Sequence, residues 1–216
     1  MIVGNGGTVL FYVIGHDVAV TRRLVEFLQQ TDFAGVIFTR EQMEGTFTLD
    51  QAKIDNQHAP DVEMAFRWSE EKNKFGAAGM MDGDWQRAAG KGTHATLSKF
   101  EMHNMLIAAG PDLQSSLTSD VPSGNVDLAP TIAAILEIKS PAQMDGRVLS
   151  EAMTNGQSVK SETQKIEATK KFPNGTWRQE LKVSRVGSTI YLDEGNGQFA
   201  RWRRQVFSYS EEEKNR

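Results

Sequence analysis

The sequence predicts an α/β fold that is followed by a β-rich C-terminal extension. Near the N-terminus, residues 8–13 are β-branched and aromatic and lie between glycines, which is typical of a short strand. Residues 17–30 then keep helical spacing, and residues 36–38 form a second short apolar run. A strand, a helix and a strand in this order indicate an α/β layer. The extension is predicted from residues 176–186 and 188–193, which are strand-like and separated by a glycine.

The first predicted helix has a recognisable start and an apolar face. Asp17 is placed as its N-cap, because a carboxylate can accept hydrogen bonds from the first free backbone N–H groups of a helix. The apolar residues that follow at roughly helical spacing are Val18, Leu24, Val25 and Leu28. This face is expected to pack against the sheet.

The middle of the chain mixes predicted elements with a long loop. Residues 64–68 form a further strand candidate, and residues 76–92 lack apolar periodicity and are predicted as a functional loop. The apolar run 105–109 ends at Gly110-Pro111, which predicts a buried strand followed by an abrupt turn. Asp127 then caps a predicted helix. The apolar positions of that helix are Leu128, Ile132, Ile135 and Leu136.

Composition argues against several classes of protein. The 216 residues and the apolar share of 39% are enough for one full-sized domain with an appendage. A mean hydropathy of −0.44 and the lack of a long apolar run argue against a membrane-spanning helix. The net charge of −4 provides no electrostatic reason to expect nucleic acid or an anionic membrane as a partner. Without cysteine there is no disulfide, thiolate metal site or cysteine nucleophile.

Four histidines are the candidates for metal binding or acid–base chemistry, namely His16, His58, His94 and His103. A self-contained zinc site needs three or four ligands at tight spacing, and these histidines show no such spacing. Small residues flank His94 in the stretch 92–95, so its imidazole can lie at a loop tip close to a ligand. Local sequence alone favours an ordinary loop histidine. No G-x-S-x-G string is present, and the residues by themselves show no complete catalytic constellation.

Three stretches taken together resemble a known family. They are Gly-Thr-His-Ala-Thr-Leu-Ser at 92–98 with the apolar run and Gly-Pro-Asp that end at residue 112, Pro-Ser-Gly-Asn-Val-Asp-Leu-Ala-Pro-Thr-Ile at 122–132, and Met-Asp-Gly-Arg-Val-Leu at 144–149. In this order they resemble the C-terminal half of the alkaline phosphatase superfamily, in its type I phosphodiesterase/nucleotide pyrophosphatase, sulfatase-like branch. That family has a glycine-flanked histidine, a buried strand ending in Gly-Pro, an Asp-x-x-Pro-Thr helix and an Asp-Gly-Arg turn.

The resemblance implies a fold and an activity. It implies part of an alkaline-phosphatase-like mixed sheet flanked by helices over residues 1–153, a β-rich extension over residues 154–207 and a polar tail over residues 208–216. The family hydrolyses phosphate or sulfate esters with two metal ions, usually zinc, so the implied substrate is a small ester of this kind. The resemblance places His94 among the metal ligands, and Ala95 stands where the family commonly has glycine.

The resemblance also implies that much of the active site lies outside this chain. In the family, the serine or threonine nucleophile and the other aspartate and histidine ligands belong to the N-terminal half. The chain is therefore expected to be a C-terminal segment that is inactive by itself. The alternative is a non-catalytic interaction module, or a split-enzyme half that pairs with a separate N-terminal chain, because a half-sheet leaves an open edge and an apolar face. Relatives are often periplasmic or extracellular, but no signal peptide is recognisable here and the compartment stays open.

Overall fold

The computed structural model describes residues 1–83, 94–139 and 143–202, and a five-stranded mixed sheet lies at the centre of the fold. In chain order its strands are β1 (Ile2–Asn5), β2 (Thr8–Phe11), β3 (Ala34–Thr39), β4 (Phe47–Thr48) and β5 (Val62–Phe66). Their spatial order is β1-β2-β5-β3-β4, and only β3 and β4 run parallel to each other. The α/β prediction is confirmed as a mixed fold of sheets and few helices.

Helix α1 (Val18–Leu28) begins and packs as the sequence predicts. The Asp17 side chain accepts hydrogen bonds from the backbone N–H groups of Ala19 and Val20 at 2.8 and 3.1 Å, so this residue is the N-cap. The helix buries Thr21, Val25 and Leu28. The amphipathic spacing therefore orients α1 with one face towards the sheet.

The core occupies both faces of the sheet. All six residues of β3 are buried. Ile37 of β3 packs in a cluster with Val25 and Leu28 of α1, whereas its neighbours Val36 and Phe38 pack in a second cluster. Successive side chains of a strand point to opposite faces, so a continuously apolar strand must be covered on both.

The C-terminal segment forms a three-stranded antiparallel sheet that packs against β3. Its strands are β8 (Ser161–Phe172), β9 (Gly175–Val186) and β10 (Thr189–Arg201), in the order β10-β9-β8. Trp177 and Leu181 of β9 are fully buried. Trp177 belongs to the cluster that contains Ile37, and Leu181 belongs to the cluster that contains Val36 and Phe38. A Cβ atom on Gly197 would lie 1.9 Å from the carbonyl oxygen of Gly35, so β10 and β3 approach each other at backbone distance.

Two amide side chains of the C-terminal sheet form hydrogen bonds with backbone groups earlier in the chain. Gln179 is fully buried, accepts from the N–H of Ile37 at 2.7 Å and donates to its carbonyl at 3.1 Å. Asn196 does the same for Trp68, at 3.4 and 2.8 Å. Strand β4 pairs only with the last two residues of β3, Phe38 and Thr39, and does not reach Ile37. The amide of Gln179 therefore satisfies the N–H and carbonyl of Ile37 in place of a neighbouring strand.

The middle of the chain differs from the sequence-based expectation. Strand β7 (Ala78–Met81) occupies the start of the predicted loop 76–92 and pairs in a hairpin with β6 (Trp68–Lys72), which precedes that loop. Residues 84–93 lie outside the described residues. The prediction of a buried strand at 105–109 is wrong, because this run contains no strand and Met105 and Ile107 are 83% and 81% exposed.

The other helices of the described residues are short. The α-helices are α2 (Lys99–Met102) and α3 (Leu128–Ile135), and single 3-10 turns lie at Ile14–His16, Asn125–Asp127 and Ser150–Ala152. The helix predicted after Asp127 is thus confirmed, although the Asp127 side chain makes no cap hydrogen bond to it. The predicted strand at 188–193 is the first part of the longer β10, and β8 has no counterpart among the predicted elements. The predicted tail 208–216 lies outside the described residues.

Candidate functional site

The predicted metal ligand His94 lies on a loop that is held against the turn between β1 and β2. Its side chain is exposed, and its backbone carbonyl accepts a hydrogen bond from the N–H of Gly7. A Cβ atom on Gly6 would come within 3.2 Å of ring atoms Cε1 and Nδ1, so the imidazole lies directly over this turn. The next residue, Ala95, has φ 66°, a left-handed conformation that costs a non-glycine residue about 1 kcal/mol. A glycine would adopt this backbone bend freely.

The residues that follow His94 anchor the loop on its other side. The backbone N–H and hydroxyl of Thr96 both donate to Glu101, at 2.8 and 2.7 Å. Ser98 caps α2, and the carbonyl of Leu97 accepts from the N–H of Gly195 in β10 at 2.8 Å. Thr96 and Ser98 are buried. The loop is therefore tied to the N-terminal hairpin and to the C-terminal sheet, while the imidazole remains exposed.

One imidazole is only a partial ligand set for zinc, which binds three or four protein side chains. Over residues 1–83, 94–139 and 143–202, no group of three or more His, Cys, Asp or Glu side chains is placed so that it could hold a metal ion. The described residues alone therefore do not fit a zinc site, and we assign no catalytic step to a metal within them.

The Asp127 carboxylate, from the second motif stretch, is a fully buried structural acceptor. It receives hydrogen bonds from the backbone N–H of Gly124 at 2.8 Å, the backbone N–H of Arg147 at 2.8 Å and the hydroxyl of Tyr191 at 2.9 Å. Thr131, from the same stretch, accepts from the backbone N–H of Leu149 at 3.0 Å. The second and third motif stretches thus fold onto each other, and Tyr191 attaches both to β10.

Arg147 completes this polar cluster. Its guanidinium donates to both carboxylate oxygens of Glu151, at 2.8 and 2.6 Å, to the Tyr191 hydroxyl at 3.0 Å and to the Pro122 carbonyl at 3.0 Å. The hydrogen bond with Glu151 is the main cause that raises the pKa of Arg147. Burial raises the pKa of Glu151, but the hydrogen bond from Arg147, a backbone hydrogen bond and the positive charge of Arg147 together outweigh burial and hold that pKa below its usual value. Both groups are therefore charged at neutral pH, and the Asp-Gly-Arg turn acts as an anchor.

Tyr191 makes the stability of this cluster dependent on alkaline pH. Burial, together with the hydrogen bond to Asp127, raises the pKa of Tyr191 to about 12 from its ordinary 10.0. Between these two pH values the unfolded chain loses the tyrosine proton before the folded chain does. The free energy of unfolding should therefore fall as pH rises from 10 towards 12.

The measurement is urea denaturation at several alkaline pH values, for the wild type and for Tyr191→Phe. Lysines and other tyrosines titrate in both proteins, so the difference between the two curves isolates Tyr191. We expect the stability advantage of the wild type to shrink as pH rises, and a constant difference would contradict the assignment.

A second polar cluster, formed by His16, Arg40 and Asp61, is not among the sequence-based predictions. Nε of Arg40 lies 3.8 Å from Oδ1 of Asp61. The Asp61 carboxylate is 4% exposed, lies 2.6 Å from Nδ1 of His16 and accepts from the N–H of Val13 at 2.6 Å. Burial raises the pKa of Asp61, but the hydrogen bonds from His16 and Val13 together with the charges of His16 and Arg40 outweigh burial and hold the pKa below its usual value. His16 and Asp61 are 45 positions apart, and no local motif links them.

The other two histidines are exposed surface residues. His58 pairs with the neighbouring Gln57 side chain at 3.0 Å, and His103 is the C-terminal cap residue of α2. The structure therefore places the four histidines in separate surroundings. Only His94 combines an exposed ring with a backbone that is held in place by distant parts of the chain.

The chain has no match among the comparisons with known proteins. No protein-family model matches it, no curated protein is significantly similar to it in sequence, and no solved structure significantly matches it. Within the described ranges, no helix is both long enough and apolar enough to cross a membrane.

Proposed function

We propose that this chain forms part of a metal-dependent phosphoric or sulfuric ester hydrolase that resembles the type I phosphodiesterase/nucleotide pyrophosphatase branch. In this proposal the exposed imidazole of His94 donates one nitrogen lone pair to a zinc ion. The nucleophile and the remaining ligands come from residues outside those described here or from a second polypeptide. The chain by itself then has no turnover.

The observation that carries the proposal is the combination of an exposed ring and a fixed backbone at His94. An ordinary loop histidine needs no support, whereas a ligand must be held close to its productive position. Here Gly7 binds the carbonyl of His94, Glu101 binds Thr96, and Ala95 adopts a strained left-handed conformation between them. Strained residues persist where the surrounding structure holds them, and they cluster at functional sites.

The alternative function is that of an interaction module, and exposed apolar side chains favour it. Met105 and Ile107 are largely exposed in a run that contains no strand. On α3 and its C-terminal cap, Leu128, Ile132 and Leu136 are 39%, 55% and 60% exposed at a spacing of four residues, which places them on one face. Apolar surface of this kind marks a contact with another polypeptide. This alternative is compatible with a split enzyme, in which the second chain completes the metal centre.

The proposal is tested on the protein as its own cells produce it. The chain is tagged at its C-terminus, purified natively with whatever it assembles with, and assayed with a p-nitrophenyl phosphodiester and with p-nitrophenyl sulfate. We expect turnover that a chelator abolishes and zinc restores, and we expect His94→Ala to lower it about 100-fold or more. The two substrates distinguish phosphoric from sulfuric ester hydrolysis.

His58→Ala is the matched control, since His58 is also exposed and should leave turnover unchanged. The recombinant chain alone should show no turnover. Three results would overturn the proposal: turnover that His94→Ala leaves intact, turnover by the isolated chain, or no turnover in any natively purified assembly. The last result, accompanied by a stable complex, would favour the interaction module.

A further inference from the structure

A groove lies between the loop at residues 42–47 and the outer edge of β8. Its volume is about 410 Å³, and the strand contributes Ile166, Glu167, Ala168 and Thr169 to its lining. Neither the sequence motifs nor the proposed hydrolase site uses this groove.

The β8 wall of the groove presents backbone hydrogen-bonding groups. Strand β8 is at the edge of its sheet, because the order is β10-β9-β8. A two-residue loop joins β8 to β9, so Phe172 and Gly175 form a hydrogen-bonded pair and the even-numbered residues of β8 bond to β9. The N–H and C=O groups of Glu167 and Thr169 then point away from β9, towards the groove. An edge of this kind is a template for an added strand.

The opposite wall is fixed by hydrogen bonds to its carbonyl groups. Trp177 donates to the carbonyl of Gly45 at 2.9 Å, and Gln29 donates to the carbonyl of Glu44 at 3.0 Å. Both donors belong to fully buried side chains. A wall that is held in this way loses little conformational entropy when a ligand enters the groove.

The charged residues that line the groove are both acidic. They are Glu44 and Glu167. Lys170 of β8 pairs with Glu26 at 2.8 Å, and Lys165 is shared between Glu180 and Glu167, so it compensates the charge of Glu167 only in part and leaves Glu44 as the main negative charge of the lining. The groove therefore favours a ligand that brings its own positive charge.

We propose that this groove binds an extended basic peptide segment of a partner protein, which adds to β8 as a fourth strand of the C-terminal sheet. Its backbone pairs with the outward groups of Glu167 and Thr169. Lysine or arginine side chains at alternate positions face Glu167 and Glu44, and small apolar side chains face Ile166 and Ala168. This binding is independent of the hydrolase proposal.

The test uses labelled peptides of about eight residues, the usual upper length of a strand run. One alternates valine and lysine, a second alternates valine and glutamate, and a third is the lysine peptide with N-methylated backbone amides. Fluorescence anisotropy with the full chain should show binding of the lysine peptide. The N-methylated peptide and the glutamate peptide should each bind at least about tenfold more weakly, because each loses hydrogen bonds or charge complementarity.

Two proline variants of β8 provide a matched pair. Thr169→Pro removes an outward N–H inside the groove, whereas Thr163→Pro removes an outward N–H of the same strand beyond the lining residues. We expect Thr169→Pro to lower the affinity for the lysine peptide about tenfold and Thr163→Pro to leave this affinity unchanged. Circular dichroism checks that both variants fold. Glu44→Gln with Glu167→Gln should also weaken binding.

Several outcomes would overturn the proposal. They are equal affinity for the lysine and glutamate peptides, no effect of Thr169→Pro in a folded protein, and no binding of any peptide. A concentration-dependent dimer of the chain that Thr169→Pro dissociates would also overturn it, because a second copy would then be the occupant of the β8 edge.

Discussion

Asp127→Ala is expected to lower the free energy of unfolding by about 4 kcal/mol. The substitution removes one buried carboxylate that accepts hydrogen bonds from Gly124, Arg147 and Tyr191. Three donors then lose their acceptor. Because Asp127 is fully buried, water does not replace the missing carboxylate. Urea denaturation followed by circular dichroism measures the loss as a lower midpoint at an unchanged slope.

Asp145→Ala is the control for this prediction. Asp145 is the aspartate of the Asp-Gly-Arg turn and is exposed, so its removal should change stability by no more than about 0.5 kcal/mol. The loss of stability in Asp127→Asn should be smaller than in Asp127→Ala and larger than in Asp145→Ala. The asparagine oxygen can still accept a hydrogen bond, but its amide nitrogen is a donor that faces another donor. Equal effects of Asp127→Ala and Asp145→Ala would show that the cluster does not hold the motif stretches together.

Gln179→Leu is expected to cost a similar amount, about 4 kcal/mol, although leucine fills much of the same space. The amide of Gln179 accepts from the N–H of Ile37 and donates to its carbonyl. Leucine leaves both backbone groups buried without a partner, and the penalty of each is about 1–3 kcal/mol. Because Ile37 lies in β3, whose residues are all buried, the loss should appear as global unfolding, measured by urea denaturation and by hydrogen exchange at Ile37.

Gln198→Leu is the matched control, as the same substitution at an exposed position of the neighbouring strand β10. It should leave the midpoint of unfolding nearly unchanged. If Gln179→Leu were equally mild, the C-terminal sheet would not depend on this side chain for its contact with β3.

Elements with strong local signals were predicted well from the sequence. Helix α1 has an N-cap and an apolar face within its own residues, and β3 is a compact run of apolar and β-branched residues. The apolar run at 105–109 has an equally strong signal, yet it contains no strand. A strand needs a neighbouring strand to satisfy its backbone groups, and none lies beside this run within the described part of the chain. The composition of a segment shows that it is apolar, but it does not show whether a neighbouring strand is available to pair with it.

The candidate site shows the same division. His94 was singled out by its flanking small residues and by the resemblance of the surrounding motif, which are both local. The pair of His16 and Asp61 depends on the ends of separate strands being brought together, and neither residue has a local feature that points to the other. The same holds for Tyr191, which reaches Asp127 across 64 positions.

The sequence by itself determined the elements whose causes are local: the cap and apolar face of α1, the buried strand β3, the C-terminal strand β9 and the exceptional setting of His94 among small residues. Only the tertiary structure decided that β9 and β10 pack against β3 through Trp177, Gln179 and Gly197, and that Asp127 and Arg147 act as anchors. The physical reason is that periodicity and capping act over one or two turns of chain. Burial, the hydrogen bonding of backbone groups and close packing depend on which residues from distant parts of the sequence lie next to each other in the fold.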